Sequence, residues 1–230
     1  MEAQTLQAKL RPAKSRRARL PEATIPPVIR ESNLMKRGGF DVFEGLVDAD
    51  MRCGMLSEAI VRLPYSAECE VQISDNEEVR GGAPRRRFRN ATGGPYQEAF
   101  GNAPWVLDFL RSLTTRTLVP TGEVGTYSYY INSGDYLDIH RDILTCDVAV
   151  ITCLNDHVLA DGDAGRLCLY PERILEPLSS IRTTPDQGAV RVRVGPGQTI
   201  VLYGGIVPHA LLPVSEGQAR IISVLCYREI

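Results

Sequence analysis

The sequence predicts a mainly β fold of the α+β type, in which N-terminal helices buttress a β-barrel or jelly roll. From Gly125 onward, short runs rich in Val, Ile, Tyr and Thr alternate with glycine-containing turns, which is typical of strands. No helical period separates these runs, and six or more consecutive strands favour a sandwich or a barrel. Both predicted helices precede this half, so the order is helices first and strands second.

The predicted elements follow from local patterns. In the C-terminal half, the predicted strands are TYSYYI (126–131), DVAVITCL (147–154), RLCLYP (166–171), AVRVRV (189–194), QTIVLYG (198–204) and ARIISVLCYR (219–228). Upstream, FDVFEGLV from Phe40 predicts another strand. Asp48 is expected to cap a helix to about Arg62, and its predicted apolar side holds Met51, Met55, Ala59 and Ile60. A second helix, which contains Trp105, is expected to begin through Asn102 and Pro104.

Length and composition indicate one globular domain. The chain has 230 residues, 43% hydrophobic and 23% charged, and no apolar run approaches the roughly 18 residues that span a bilayer. We find no secretory signal pattern either, so we expect a cytoplasmic protein without membrane association. The six cysteines have no metal-ligand spacing, so we expect six reduced thiols. We predict a flexible arm over residues 1–35 and a folded domain over 36–230, with the jelly-roll core from about 125.

Charge is distributed unevenly along the chain. Residues 1–30 hold seven basic and two acidic residues, whereas the rest of the chain holds 19 basic and 26 acidic residues. A basic arm is typical of a solvated terminus or of a segment that binds an acidic partner. Residues 80–95 contain five arginines among Gly and Pro and predict a loop. The acidic body gives no support for a nucleic-acid enzyme.

All three histidines lie in the β half, and the sequence patterns around His140 and His209 point to a metal site. His140 and Asp142 are two residues apart, so on an extended segment both side chains leave the same face. His209 follows a Gly-Gly-Ile-Val-Pro turn and is expected on a facing strand. Two imidazoles and one carboxylate form the ligand set of non-haem iron(II) oxygenases. The alternative interpretation is that His140 is a surface histidine and Asp142 a turn residue.

Arg220 stands eleven residues after His209 and opens the last predicted strand. By alternation it shares a face with Ile222, Val224 and Cys226, which indicates burial. A buried arginine requires an anionic partner, and a guanidinium suits a planar carboxylate. We expect a bound dicarboxylate to supply that partner.

Residues 130–230 resemble the 2-oxoglutarate/Fe(II)-dependent dioxygenase superfamily, and most closely its prolyl-hydroxylase-like branch. The resemblance rests on four ordered motifs, which are YINSGDYLDIHRD (130–142), CLND (153–156), GRLCLYPE (165–172) and VGPGQTIVLYGGIVPHALLPVSEGQARIISVLCY (194–227). It implies a double-stranded β-helix, the cupin-like form of the jelly roll. Residues 1–100 resemble the family only in having helices before the barrel.

The resemblance also implies site residues and cofactors. His140, Asp142 and His209 would bind iron(II), and Arg220 would pair with the distal carboxylate of the cosubstrate 2-oxoglutarate. Dioxygen would be the oxidant, with ascorbate as a candidate reductant. Tyr130 would be a second cosubstrate contact, or else a packed barrel aromatic.

Two positions depart from the family pattern, and neither is a predicted iron ligand. Cys153 stands where some relatives have a second cosubstrate tyrosine, and Cys226 stands where nucleic-acid demethylases have a further arginine. Asn155 and Tyr203 are weaker pocket candidates. We predict that His157 is an exposed loop residue.

The predicted function is oxidation, with hydroxylation as the leading outcome, of a small organic metabolite, coupled to conversion of 2-oxoglutarate to succinate. Retention of Asp142 disfavours halogenation. The alternatives are a prolyl-type peptide hydroxylase, a cupin-like metalloenzyme that does not use 2-oxoglutarate, and a non-enzymatic β-barrel binding module. The motifs leave the substrate and the oligomeric state open, and the 80–89 and 156–163 segments are predicted to determine the substrate.

Overall fold

The computed structural model describes residues 25–74, 78, 80–121, 125–157 and 162–230. The strands are β1 Phe40–Glu44, β2 Ala67–Val71, β3 Arg86–Thr92, β4 Leu118–Pro120, β5 Thr126–Tyr130, β6 Tyr136–His140, β7 Val148–His157, β8 Leu167–Leu169, β9 Val190–Val192, β10 Gln198–Leu202, β11 His209–Leu211 and β12 Ala219–Glu229. The helices are α1 Pro27–Arg30, α2 Asn33–Lys36, α3 Ala49–Arg62, α4 Pro95–Gly101, α5 Pro104–Thr114 and α6 Leu178–Thr183, with 3-10 turns at Leu63–Tyr65 and Pro171–Arg173.

The strands form one curled antiparallel sheet in the order β1-β10-β7-β12-β5-β3-β6-β11-β8-β9, with β2 beside β3 and β4 beside β12. Each of the six predicted strand segments contains a strand. The long strand β7 is buried along its first seven residues, as its unbroken apolar sequence requires. The structure therefore confirms the predicted jelly roll.

Helix α3 buttresses the strand that ends at Tyr130. Its N-cap is Asp48, whose carboxylate accepts a hydrogen bond from the Met51 amide at 2.7 Å, as predicted. On the inner side, Ala59 is fully buried, whereas Ile60 is 55% exposed because it lies about 100° further around the helix; its predicted burial was wrong. The Tyr129 hydroxyl donates to the Ala59 carbonyl at 2.8 Å, which fixes the helix to β5.

The start of the folded body differs from the predicted boundary. Residues 1–24 of the predicted arm lie outside the described residues. Residues 27–36 form the short helices α1 and α2, and Leu34 is fully buried. The Ser32 hydroxyl accepts from the Met35 amide at 3.2 Å and caps α2. Helices of four residues are too short to show a helical period, so the sequence pattern did not indicate them.

One prediction between residues 80 and 114 needs correction, and another is confirmed. The predicted 80–95 loop contains strand β3, which pairs with β5 and β6. Its arginine-rich sequence hides the strand because charged side chains obscure the apolar alternation. The predicted second helix is confirmed as α5, which begins at Pro104 with Ala103 as its N-cap. The preceding short helix α4 was not predicted, and Trp105 of α5 is 52% exposed.

The cysteines do not all remain thiols. Cys146 and Cys226 form a disulfide, which corrects the expectation of six reduced cysteines. Cys226 lies on β12, where its backbone is paired with β7 at Ala149, three residues after Cys146. Strand pairing thus joins two residues that are 80 positions apart. Cys53, Cys69, Cys153 and Cys168 are free. No helix among the described residues is long and apolar enough to cross a membrane.

Candidate metal centre

Two neighbouring strands bring His140 and His209 together. His140 ends β6 and His209 begins β11, and these residues are direct partners across the pair. Their ring centroids are 4.3 Å apart. The register shifts along this pair, so that Leu211 is opposite Leu137. This extra residue in β6 is a bulge. Ile139 packs on the outer face against Ile181 of α6, while His140 is directed to the opposite face, beside His209.

Asp142 completes the cluster from the segment that follows β6. Its Oδ1 atom is 3.5 Å from His140 Nε2 and 3.6 Å from His209 Nε2. One ligand atom from each of the three residues lies within 4.8 Å of the others. In the part of the chain that the structure describes, no other group of three His, Cys, Asp or Glu side chains has this arrangement.

Backbone carbonyls orient both imidazoles. The Nδ1 atom of His140 is 2.9 Å from the Asp138 carbonyl oxygen, and that of His209 is 3.0 Å from the Val207 carbonyl oxygen. A carbonyl oxygen only accepts, so each Nδ1 carries a hydrogen and each Nε2 is turned towards Asp142. A hydrogen bond from the other ring nitrogen to a backbone carbonyl is the usual way in which proteins fix a metal-ligating histidine.

The electrostatics of the cluster suit a cation. Burial, followed by the nearby His209, lowers the pKa of His140. Burial alone would raise the pKa of the Asp142 carboxyl, but His209 and His140 hold it well below its usual range. Burial would also lower the pKa of His209, but the charge of Asp142 outweighs it and raises that pKa. The cluster thus contains an ionised carboxylate, and a divalent metal would take the place of the proton that Asp142 favours on His209.

Gly204 makes room for the carboxylate of Asp142. The Asp142 amide donates to the Gly204 carbonyl oxygen at 2.8 Å. A Cβ atom at position 204 would lie 1.8 Å from Asp142 Oδ2. The sequence indicated Gly204 and Gly205 only as a strand break. Their position shortly before His209 could have indicated that one of them makes room for a metal ligand.

We expect Gly204→Ala to weaken metal binding at least tenfold, because the added methyl group must displace the Asp142 carboxylate. The measurement is a titration with iron(II) without oxygen. Gly195→Ala is the matched control, since a Cβ atom there meets nothing closer than 3.5 Å. Equal metal affinity in both variants would contradict a requirement for the observed Asp142 position.

Arg80 fixes the segment that carries Asp142, a role that the sequence did not indicate. Its Nε atom donates to the Asp142 carbonyl oxygen at 3.1 Å, and its Nη2 donates to the Cys146 carbonyl oxygen at 2.6 Å. The same Nη2 lies 2.8 Å from the Asp147 carboxylate. Through these contacts Arg80 joins its own segment to both ends of the connection between β6 and β7.

Arg220 is fully buried at the start of β12 and already has a protein carboxylate partner. Its Nη1 donates to Asp156 Oδ2 at 2.7 Å and to the Val194 carbonyl oxygen at 2.9 Å. Asp156 thus supplies a carboxylate partner of the kind that was expected from a bound dicarboxylate. Asp156 also binds Arg193 at 3.1 Å, so one carboxylate faces two guanidinium groups. Among the described residues the Arg220 Nε atom has no hydrogen-bond partner, which leaves capacity for an anion.

Tyr130 lies directly beside Arg220 across the β5–β12 pair. Its ring stacks on Phe88 with centroids 5.0 Å apart, as the packed-aromatic alternative predicted. Burial raises the pKa of its hydroxyl, and the charges of Arg220 and Arg86 oppose that rise. The phenol therefore lies near two guanidinium groups on the inner face of the barrel.

The weaker candidates do not join this cluster. The Tyr203 hydroxyl bonds to Ser32 Oγ and to the Thr114 carbonyl oxygen, both at 3.3 Å, behind the barrel wall. The Asn155 amide donates to the Ala219 carbonyl oxygen at 2.8 Å and links β7 to β12. His157 is exposed, but it ends a strand instead of lying in a loop.

Comparisons with solved structures agree with this architecture, although neither the protein-family models nor the curated protein sequences contain a match. A prolyl hydroxylase from Trichoplax adhaerens, in complex with a peptide fragment of hypoxia inducible factor, superimposes with a TM-score of 0.59 at 17% identity, covering 86% of each chain. The epimerase SnoN of nogalamycin biosynthesis gives 0.66 at 15% identity over 88% of this chain and 80% of its own.

HygX from Streptomyces hygroscopicus, with nickel and 2-oxoglutarate bound, gives a TM-score of 0.56 at 14% identity over 83% of each chain. At these identities the likeness establishes the fold. The chain has the double-stranded β-helix fold of the 2-oxoglutarate/Fe(II) oxygenases.

Proposed function

We propose that this protein is an iron(II)- and 2-oxoglutarate-dependent oxygenase that hydroxylates a small organic metabolite. The observation that carries the proposal is the cluster of His140, Asp142 and His209, in which both Nε2 atoms and a carboxylate oxygen converge while both Nδ1 atoms are held by the backbone. Two imidazoles and one carboxylate occupy one face of an iron(II) ion and leave the other positions open.

Different residues would bind the metal and the cosubstrate. His140, Asp142 and His209 would hold iron(II), whose chemistry when bound is to activate dioxygen. Arg220 would orient 2-oxoglutarate through its distal carboxylate, with Tyr130 beside it. Overall, one substrate C–H bond becomes C–OH, and 2-oxoglutarate and dioxygen yield succinate, carbon dioxide and the inserted oxygen atom.

Structural neighbours act on both candidate substrate classes. SnoN belongs to nogalamycin biosynthesis and has been captured with Fe3+, α-ketoglutarate and a nogalamycin compound, which supports a small metabolite. The Trichoplax enzyme binds a peptide fragment, which supports a peptide hydroxylase as the second candidate. Succinate release from a metabolite panel and from proline-containing peptides separates the two.

The first test requires no substrate. Iron(II) and 2-oxoglutarate are added to the apoprotein without oxygen, and the expected result is the weak visible charge-transfer band of the iron–2-oxoglutarate chelate. His209→Ala should lose this band, and His157→Ala should retain it.

The other outcomes decide between the alternatives. A thermal shift with iron but none with 2-oxoglutarate would favour a cupin-like metalloenzyme. If no band forms and neither ligand raises the melting temperature, the oxygenase proposal fails and a non-enzymatic binding module becomes the better description.

A further inference from the structure

Arg86 of β3 is directed into the barrel. Its partner across the strand pair is Leu137 of β6, which in turn is opposite Leu211 of β11. Both leucines pack in the main hydrophobic core. Directly opposed residues of an antiparallel pair share a face, so Arg86 lies on the inner face. The next residue, Arg87, alternates outward; its side chain is 46% exposed and binds Asp135.

Arg86 differs from the other arginines of its segment in its partners. Four neighbours pair with carboxylates, namely Arg80 with Asp147, Arg85 with Asp138, Arg87 with Asp135 and Arg89 with Glu68. Within the described ranges, no carboxylate pairs with Arg86, and its buried Nε atom has no hydrogen-bond partner. Arg86 as a whole is half-buried, but an N–H donor that is shielded from solvent and has no acceptor is costly. The arrangement therefore calls for an anion that is not part of the described protein.

The position of Arg86 connects it with the proposed active site. Phe88, two residues further along the same face of β3, stacks on Tyr130, and Tyr130 is opposite Arg220. In the other direction, β6 continues from Leu137 to His140. Arg86 thus lies on the inner face of the barrel. Tyr130 and Arg220 lie on one side of it, and the two histidines lie on the other.

We propose that Arg86 binds an anionic group of the substrate, so that the substrate class is small metabolites that carry a carboxylate or a phosphate. This inference rests on the proposed function and deepens it. Arg220 and Tyr130 would hold the cosubstrate, and Arg86 would hold the substrate on the adjoining wall. A guanidinium recognises either oxyanion through paired N–H donors.

Acetate and methyl phosphate serve as probes, because the natural substrate is unidentified. Each is titrated by calorimetry into the apoprotein and into protein loaded with nickel(II) and 2-oxoglutarate, which keeps the cosubstrate position filled. We expect at least one probe to bind the loaded wild type. Arg86→Met should weaken this binding at least tenfold, Arg86→Lys should restore part of it, and Arg87→Met, on the outer face, should leave it within twofold.

The same variants distinguish a binding role from a structural one. Without added anions, Arg86→Met should raise the melting temperature, because it removes a buried N–H donor that has no acceptor and nearly keeps the packing volume. A lower melting temperature would overturn the proposal, since it would mean that Arg86 stabilises the fold. Failure of both probes to bind the loaded wild type would also overturn it.

Two further outcomes separate this inference from the proposed function. If Arg86→Met weakens 2-oxoglutarate binding tenfold while probe binding is unchanged, Arg86 is a cosubstrate residue and the substrate assignment is wrong. If the wild type forms no iron–2-oxoglutarate band but the apoprotein binds a probe through Arg86, the oxygenase proposal fails and the anion site remains. The probe that binds tells carboxylate from phosphate.

Discussion

Asp142→Ala and His209→Ala are each expected to reduce 2-oxoglutarate turnover to below about 1% of wild type and to weaken iron(II) binding at least a hundredfold. Each change removes one of three ligands that converge within 4.8 Å, and two remaining ligands do not define a facial iron site. Iron content after dialysis and iron titration without oxygen measure the loss of metal. Succinate release measures the loss of turnover.

His157→Ala is the matched control for these variants. It removes the third histidine of the chain, which is exposed at the end of β7, and iron affinity should remain within twofold of wild type. All three variants should keep a wild-type far-ultraviolet circular dichroism spectrum, because the ligand side chains form the wall of the site and not the hydrophobic core. Normal turnover in either ligand variant would refute the assignment of these three residues.

The sequence could predict the ligand residues because their chemistry is local. His140 and Asp142 are two positions apart, and a chain with only three histidines offers few candidates for a third ligand. The sequence could not show how the residues meet. A bulge in β6 precedes His140, and Gly204 provides the space for Asp142. Both features depend on strand pairing, which no short sequence window contains.

The arginines of β3 also show that strand pairing, which the sequence does not reveal, decides which face a residue occupies. In sequence, Arg86 and Arg87 are equivalent members of a basic run, yet one faces the core and the other faces solvent. Only the opposition of Arg86 to Leu137 distinguishes them. Likewise, Asp156 was predicted to belong to a substrate-determining segment, but the β7–β12 pair places it against Arg220. Partner identity for a buried charge is a tertiary property, and the sequence indicates only that a partner is required.

Arg220→Ala is expected to have the second largest effect, a loss of 2-oxoglutarate affinity of at least a hundredfold. The variant removes a charge-assisted contact to the distal carboxylate. It also leaves the buried Asp156 carboxylate without its shortest ion pair, 2.7 Å in the wild type, which costs about 3–5 kcal/mol of stability. Loss of binding could therefore follow from loss of fold, and a single variant does not separate the two.

The double variant Arg220→Ala/Asp156→Asn separates them, because it removes the uncompensated charge together with the arginine. We expect its free energy of unfolding in urea to recover most of what Arg220→Ala loses, while its 2-oxoglutarate affinity stays low. Asp156→Asn alone should bind 2-oxoglutarate at least as tightly as wild type, since it frees Arg220 from a competing carboxylate. If Asp156→Asn instead weakens binding as much as Arg220→Ala does, the ion pair itself shapes the site. Unchanged affinity in Arg220→Ala would assign the distal carboxylate to another cationic residue, and Arg86, which is half-buried on the same inner face of the barrel, would take that role.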